Sequence, residues 1–205
     1  MFRFQENSRF ANFVGRLVDV AWLNLLWLAC CLPIVTIGAS TVAAHSVCLK
    51  MVDDEEGYIA KDFFTAFRAN FVQGTVLWLL NGVAVYALYL DWQFVIKADD
   101  PSVALIVVSI VSTAAVFSAF IYSYPLVARY RNTIAKTISN SARICFRYAG
   151  RTLILALVLL LEIGLFSWNG VMILIGALLG PMILIYTVSG VSKHIFKAID
   201  RESGR

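Results

Sequence analysis

Long apolar stretches separated by short polar segments make up most of this 205-residue chain. A helix needs about 20 apolar residues to cross a hydrocarbon core of roughly 30 Å. Stretches of suitable length predict membrane helices at residues 16–32, 71–92, 102–127, 152–168 and 171–190. The pattern therefore predicts an all-α, polytopic membrane protein, with residues 1–205 forming a single integral membrane domain.

A shorter apolar segment follows the first span. Pro33 interrupts the helix, Thr36-Ile37-Gly38 suits a turn, and residues 38–51 return as a second helix. About 14 residues at 1.5 Å each cover only some 21 Å. Such a half-helix is tolerated where protein, rather than lipid, surrounds its backbone. We expect six segments, five full spans and this short or broken helix; whether residues 36–51 cross the membrane fully is left open.

Charge gives these segments an orientation. Basic residues near membrane spans stay on the cytoplasmic side, and all but one of the 17 Lys and Arg residues fall into four clusters between the predicted hairpins. Both termini are therefore expected in the cytoplasm. The clusters are Arg3, Arg9 and Arg16; Lys50, Lys61 and Arg68; Arg129, Arg131, Lys136, Arg143, Arg147 and Arg151; and Lys193, Lys197, Arg201 and Arg205.

Two cytoplasmic loops are predicted to form amphipathic helices on the membrane surface. In the first, Phe63, Phe67 and Phe71 repeat at four-residue spacing and are expected to lie against lipid or a partner. Residues 131–148 repeat this pattern more weakly. Phe67-Arg68 and Phe146-Arg147 each precede a Thr-led apolar span, which hints at a duplicated unit. The candidate partner-docking residues are Phe63, Phe64, Phe67, Arg68, Asn70 and Phe71.

Polar and small residues inside the spans suggest further sites. Glu162 lies ten residues into the fifth long helix, where a carboxylate is costly unless it faces the bundle or water. It is either a proton or substrate contact or, as we favour, a hydrogen-bonded packing residue. Gly176 and Gly180 form a Gly-x-x-x-Gly step for close helix packing, within the chain or in a dimer. The oligomeric state is left open.

Enzymatic chemistry has little support in the sequence. His45 and His194 belong to no metal-ligand cluster and are interpreted as solvated or capping residues, so we expect neither a metal nor a cofactor. The acidic run Asp53-Asp54-Glu55-Glu56 is interpreted as a solvated loop. No nucleophile elbow or phosphate-binding glycine loop occurs. The dispersed basic residues indicate contact with lipid rather than with nucleic acid.

Three segments carry a resemblance to a known family: LPIVTIGAS at 32–40, DEEGYIAKDFFTAFRANFVQGT at 54–75 and YPLVARY at 124–130. They resemble the YesL-like family of uncharacterised bacterial multi-pass membrane proteins. The resemblance implies the bacterial cytoplasmic membrane and an association with carbohydrate uptake or polysaccharide utilisation, beside sugar importers of the ATP-binding-cassette type. It supplies no catalytic residue. The family-motif residues are Pro33, Thr36, Gly38, Asp54, Glu55 and Glu56.

Two functional hypotheses follow. The first is a non-catalytic accessory protein whose cytoplasmic amphipathic helices dock a partner, such as a sugar-importer subunit. The alternative is a small secondary transporter or permease-like subunit that itself moves a solute. The broken first hairpin, the weak repeat and Glu162 favour the alternative, since such features recur in transporters. An enzyme is not expected.

Overall fold

The computed structural model of the chain describes residues 9–53, 55, 57–98 and 100–202. The described part is helical and contains no strand, which confirms the all-α prediction. Its helices are α1 (Arg9–Cys31), a 3-10 turn (Ile34–Thr36), α2 (Ile37–Met51), α3 (Ile59–Ala69), α4 (Phe71–Lys97), α5 (Val103–Phe120), α6 (Ser123–Arg129), α7 (Ile134–Arg147), α8 (Ala149–Phe166) and α9 (Gly170–Glu202).

Five helical stretches in the described part are long and apolar enough to cross a membrane. They are Ile34–Met51, Phe71–Lys97, Val103–Arg129, Ala149–Phe166 and Leu179–Glu202. The class of polytopic helical membrane protein is thereby confirmed. The sixth predicted segment is α1, whose 23 residues suffice for a span by length.

The short helix α2 forms the centre of the bundle. It packs against α1, α3, α4, α6 and α9, and eleven of its fifteen residues are buried. Small side chains, including Ala39, Ala43 and Ala44, let the surrounding helices come close. The expectation that this helix packs inside the bundle is confirmed, and together with the preceding 3-10 turn it is long enough to be a candidate span.

Backbone meets backbone where α2 crosses α4. A Cβ placed on Gly38 would lie 2.1 Å from the carbonyl oxygen of Gly74, and one placed on Gly74 would lie 2.7 Å from the Cα of Ala39. Real Cβ atoms do not approach other heavy atoms so closely, so both positions require glycine. Gly38, a family-motif residue, therefore has a structural role at this crossing.

Two other motif residues shape the turn before α2. Pro33 is in extended conformation and ends α1. The Thr36 hydroxyl is placed to donate to the carbonyl oxygens of Cys30, at 2.5 Å, and Pro33, at 2.7 Å. The Pro33 carbonyl already accepts from the Thr36 N–H, so the hydroxyl serves the Cys30 carbonyl, which is left open at the end of α1.

The fourth predicted helix, expected to be continuous over 102–127, is broken between α5 and α6. Pro125 has no N–H for the carbonyl of Ile121, and its ring crowds that carbonyl. The Ser141 hydroxyl of α7 enters the gap: it accepts from the backbone N–H of Tyr122 at 3.1 Å and donates to the carbonyl of Ser118 at 2.9 Å. A side chain thus replaces the missing helical bond between Ser118 and Tyr122.

Two helices extend beyond their predicted ends. α4 continues to Lys97 instead of ending at Trp92. α9 is one helix of 33 residues that contains Pro181 and continues to Glu202 instead of ending at Gly190. After Gly190 the sequence is amphipathic, with Ile195 and Phe196 fully buried, so the end of the apolar run did not end the helix.

The order of elements repeats once along the chain. Each copy has a helix with a proline break, then an amphipathic helix, then a long apolar helix. The first copy is α2, α3 and α4, where the break precedes α2. The second copy is α5 with α6, then α7 and α8, where the break separates α5 from α6. A single residue joins the last two helices in both cases, Asn70 in the first and Tyr148 in the second. This order matches the duplicated unit suggested by the sequence.

The α2–α4 crossing generates the first prediction. Gly38→Ala should lower the free energy of unfolding by about 1–3 kcal/mol, because the added methyl group forces the two backbones apart. The matched control is Gly82→Ala in α4, where an added Cβ meets nothing within 4 Å. Thermal unfolding in detergent measures the effect. An unfolding temperature unchanged by Gly38→Ala would contradict the crossing geometry.

Candidate functional site

The four basic clusters meet at one end of the bundle, as their described members show. Arg16 of α1 donates to the carbonyl of Met51 at the end of α2. Lys50 of α2 pairs with Asp62 of α3 at 3.1 Å. Arg129 of the third cluster pairs with Asp200 of α9 at 2.6 Å, among the basic residues of the fourth cluster. We call this region the basic end.

Cations cap the C-terminus of α2. The Lys193 ammonium of α9 donates to the carbonyl of Leu49 at 3.2 Å, and Arg16 binds the next open carbonyl. Positive charge at a helix C-terminus is stabilised by the partial negative charge of the terminal carbonyls. The buried Lys193 thus replaces the helical bonds that α2 loses where it ends.

Asp53 joins the same cluster. One of its oxygens lies 2.6 Å from the Lys193 nitrogen and the other 2.6 Å from that of Lys197. The hydrogen bonds from these lysines lower the pKa of Asp53 to about 2, with a smaller contribution from their charge. The interpretation of the acidic run as a solvated loop is therefore wrong for Asp53. Sequence spacing gave no signal for it, since the lysines lie about 140 residues away.

The aromatic stripe of α3 divides between the core and the surface. Phe63 is fully buried against Leu23, Val47 and Met51, so the prediction that it lies against lipid or a partner is wrong. Phe67 is partly buried against the same core cluster. Its four-residue spacing with Phe63 arose from core packing, which produces the same periodicity as a docking stripe.

The other docking candidates remain accessible. Phe64 is 42% exposed and Phe71 is 39% exposed, and Arg68 also lies on the surface. Asn70 forms the joint between α3 and α4, where its side-chain amide donates to the carbonyl of Ala66 at 3.0 Å. The outward side of α3 consists of Lys61, Phe64, Thr65 and Arg68, which line one shallow surface cavity. We call these four residues the docking face.

A larger cavity of about 690 Å³ opens at the basic end, between α2, α3, the start of α4 and the end of α6. We call it the basic cavity. Four of its lining residues are cations, one is an acid and two are side-chain amides: Lys50, Arg68, Arg129 and Arg131; Asp62; and Asn70 and Gln73. The sequence contains no local signal for this site, because its cations come from two different clusters.

The remaining motif residues are acidic. Glu55 is exposed, and its backbone N–H donates to the carbonyl of Lys50 at 3.1 Å. Asp54 and Glu56 lie outside the described residues.

Glu162 faces the neighbouring helix. Its carboxylate accepts a hydrogen bond from the Thr187 hydroxyl of α9 at 2.7 Å, and its second oxygen is buried without a partner among the described atoms. The arrangement fits the packing residue favoured by the sequence, and the unpartnered oxygen is a position at which a proton would be held.

Gly176 and Gly180 receive the ring of Phe166 from α8. A Cβ on Gly176 would lie 2.6 Å from the Cβ of Phe166, and one on Gly180 would lie 3.4 Å from its ring. The Gly-x-x-x-Gly step therefore serves packing within the chain, the first of the two alternatives.

His45 is buried rather than solvated, contrary to the sequence interpretation. Its Nδ1 lies 2.8 Å from the Ser189 hydroxyl, and the ring of Tyr124 stacks on its imidazole. In the part of the chain that the structure describes, no group of three or more His, Cys, Asp or Glu is placed to hold a metal ion.

Comparison with known families gives one match. A family described as "Protein of unknown function, DUF624" matches residues 20–92. The matched range includes about half of α1, the turn after Pro33, α2, α3 and most of α4. It therefore contains the Gly38–Gly74 crossing and the docking face. No curated protein and no solved structure matches the chain.

The Asp53 cluster generates the second prediction. Because its pKa is lower in the folded chain than its ordinary value of 3.8, the stabilisation it provides is complete above about pH 4 and is lost as the pH falls toward 2. Asp53→Asn should cost roughly 1–3 kcal/mol at neutral pH, since it leaves the buried Lys193 without a carboxylate. Unfolding of wild type and variant is compared between pH 6 and pH 3.

The difference in free energy of unfolding between wild type and Asp53→Asn should become smaller as the pH is lowered. Glu55→Gln is the matched control, because Glu55 is exposed and has no ion pair within the described residues. If the two proteins differ in unfolding free energy by the same amount at every pH, the charge of Asp53 does not stabilise the cluster.

Proposed function

We propose that this chain is a non-catalytic, multi-pass protein of the bacterial cytoplasmic membrane that docks a partner protein through α3, as an accessory to carbohydrate uptake. The observation that carries the proposal is the division of α3. Its apolar side is fixed in the core by Phe63, and its docking face is turned outward with one aromatic residue among polar ones.

The composition of the docking face favours protein over lipid. A helix that rests on a membrane turns its apolar side toward the acyl chains, but the apolar side of α3 is already covered by α1 and α2. The outward side carries two cations, a hydroxyl group and one phenyl ring. Aromatic residues and arginine are the types enriched at protein interfaces, and the positive charge suits an acidic partner surface.

Packing against α2 makes α3 a pre-formed platform. The Phe63 and Phe67 rings stack with centroids 6.2 Å apart, and the Lys50–Asp62 pair fixes the start of the helix. A partner that binds a pre-ordered helix loses less conformational entropy than one that must order it.

The expected partner follows from the family resemblance. The match to DUF624 is consistent with a YesL-like family, and the resemblance implies proximity to sugar importers of the ATP-binding-cassette type. We therefore propose an importer subunit as the partner.

Orientation is part of the proposal, since the basic end is expected in the cytoplasm with both termini. Impermeant thiol labelling of intact cells tests it in a cysteine-free background. Ala98→Cys should label from outside, whereas Ser139→Cys should not, and the reverse pattern would refute the orientation.

The docking prediction concerns Phe64. Phe64→Ala should reduce recovery of importer subunits with the tagged, detergent-solubilised protein by about tenfold, the loss expected when a central aromatic contact of roughly 1.4 kcal/mol is removed. Quantitative mass spectrometry of the recovered complex measures it. The matched control is Phe94→Ala, which removes a ring that is 68% exposed near the opposite end of α4.

A photo-crosslinking residue at position 64 identifies what covers the docking face. Capture of an importer subunit supports the proposal. Capture of lipid alone, or recovery of importer subunits that is unchanged by Phe64→Ala, would refute the proposal.

The transporter alternative is favoured by a different observation, the repeated order of elements with a break in each copy. Duplicated units and discontinuous helices are common in secondary transporters. The half-satisfied Glu162 would be the coupling residue, since a carboxylate inside a span is a natural proton site.

Glu162→Gln separates the two functions. Gln keeps the size and can still bond to Thr187, but it cannot titrate. Under the accessory proposal, complementation of a deletion strain should stay near wild type, and the Thr187 bond that is kept is worth on the order of 1 kcal/mol or less. If the Glu162→Gln protein is present at normal abundance but does not complement the deletion, the transporter function is favoured over the accessory function.

A further inference from the structure

We propose that the basic cavity is a binding site for a phosphate group carried by a larger ligand. The cavity lies beside the docking face, with which it shares Thr65 and Arg68, and Glu162 does not line it. Its cations come from α2, α3, the end of α6 and the segment after α6, so they converge on one space from different elements.

The charged residues that line the cavity indicate the charge of the ligand. Of the four lining cations, Lys50 is paired with Asp62, and Arg129 is paired with Asp200. Arg68 and Arg131 have no ion pair within the described residues. Two guanidinium groups without an ion pair around one cavity favour an anion, and a phosphate ester supplies one negative charge as a diester or up to about two as a monoester at neutral pH.

The donor types point to phosphate in particular. A guanidinium presents its N–H groups as a planar fork that binds two phosphate oxygens at once, and two forks from different sides can enclose one phosphate group. The side-chain amides of Asn70 and Gln73 line the same space and add neutral polar groups. A carboxylate ligand would have fewer oxygens for these donors.

The walls of the cavity are held in place. Gln73 of α4 donates to the carbonyl of Asn132 at 2.9 Å and so ties one wall to the other. Arg129 is fixed by Asp200 and lies over the rings of Tyr130 and Phe196, at 5.5 and 5.8 Å from their centroids. The unpaired arginines therefore project from a stable frame.

The size of the cavity indicates what carries the phosphate. A volume of about 690 Å³ lies within the range of small-molecule sites and far exceeds a phosphate ion. Two sources fit: the headgroup of an anionic phospholipid, for which basic pockets between membrane helices are suited, or a soluble phosphorylated metabolite.

The experiment uses the purified full chain in neutral detergent. In one arm, native mass spectrometry compares retention of phosphatidylglycerol with that of phosphatidylcholine, whose headgroup is neutral. In the other, calorimetry follows binding of inorganic phosphate, which is then tested as a competitor of the lipid. Arg68→Gln with Arg131→Gln should weaken binding at least about tenfold through loss of two charge-assisted contacts.

The matched control is Lys136→Gln with Arg143→Gln. It removes the same charge from α7, and neither residue lines the basic cavity. Its affinity should stay within about twofold of wild type, and gel filtration checks folding. If the double variant does not fold, Arg68→Gln and Arg131→Gln are measured singly, each with a smaller loss.

The outcomes separate the sources. Selective retention of phosphatidylglycerol without competition by phosphate assigns a lipid headgroup. Binding of inorganic phosphate that displaces lipid assigns a soluble ligand. The proposal is overturned if wild type binds neither, or if the α7 control loses as much affinity as the arginine variants. Phe64 lines only the docking face and Arg131 lines only the basic cavity, so the variants at these two positions distinguish a failure of docking from a failure of phosphate binding, whereas Arg68 belongs to both surfaces.

Discussion

The enclosure of α2 by protein is the constraint on which the rest of the structure depends. With fifteen residues, α2 reaches the length of a membrane span only together with the 3-10 turn that precedes it, and lipid offers no hydrogen bonds to the backbone groups at a helix end. α2 is therefore surrounded by other helices, and this needs small residues on its surface. The contact between Gly38 and Gly74 is the extreme case, where no side chain separates the two backbones.

The basic end follows from the same constraint. α2 ends with open carbonyls, and Arg16 and Lys193 reach them from α1 and α9. Asp53 then balances the charge of the buried lysine. Residues that the topology rule places in the cytoplasm thus also close the bundle. Arg68 and Arg131 are not used in this way, and both line the cavity for which we propose a phosphate ligand.

Sequence alone predicts the helices because each is encoded by its own local pattern: a long apolar run for α4, a four-residue period for α3. Pro33 marks the break before α2 for the same reason. A local pattern does not show what one side of a helix packs against. Phe63 has the spacing of a docking stripe and lies in the core, because both environments select the same period. The basic cavity and the Asp53 cluster join residues from distant segments, and one sequence contains no signal for such pairs.

The side chain of Ser141 connects the amphipathic helix α7 to the break between α5 and α6 inside the bundle. Its hydroxyl completes the hydrogen bonding of α5 and α6 at their break, yet it belongs to α7, which lies at the basic end. Lifting α7 from its place would leave a backbone donor and an acceptor unsatisfied in an apolar interior, at several kcal/mol each. α7 is therefore held against α5 and α6 from inside the bundle, and a partner that touches its outer side meets a helix whose place is fixed by a bond it cannot reach.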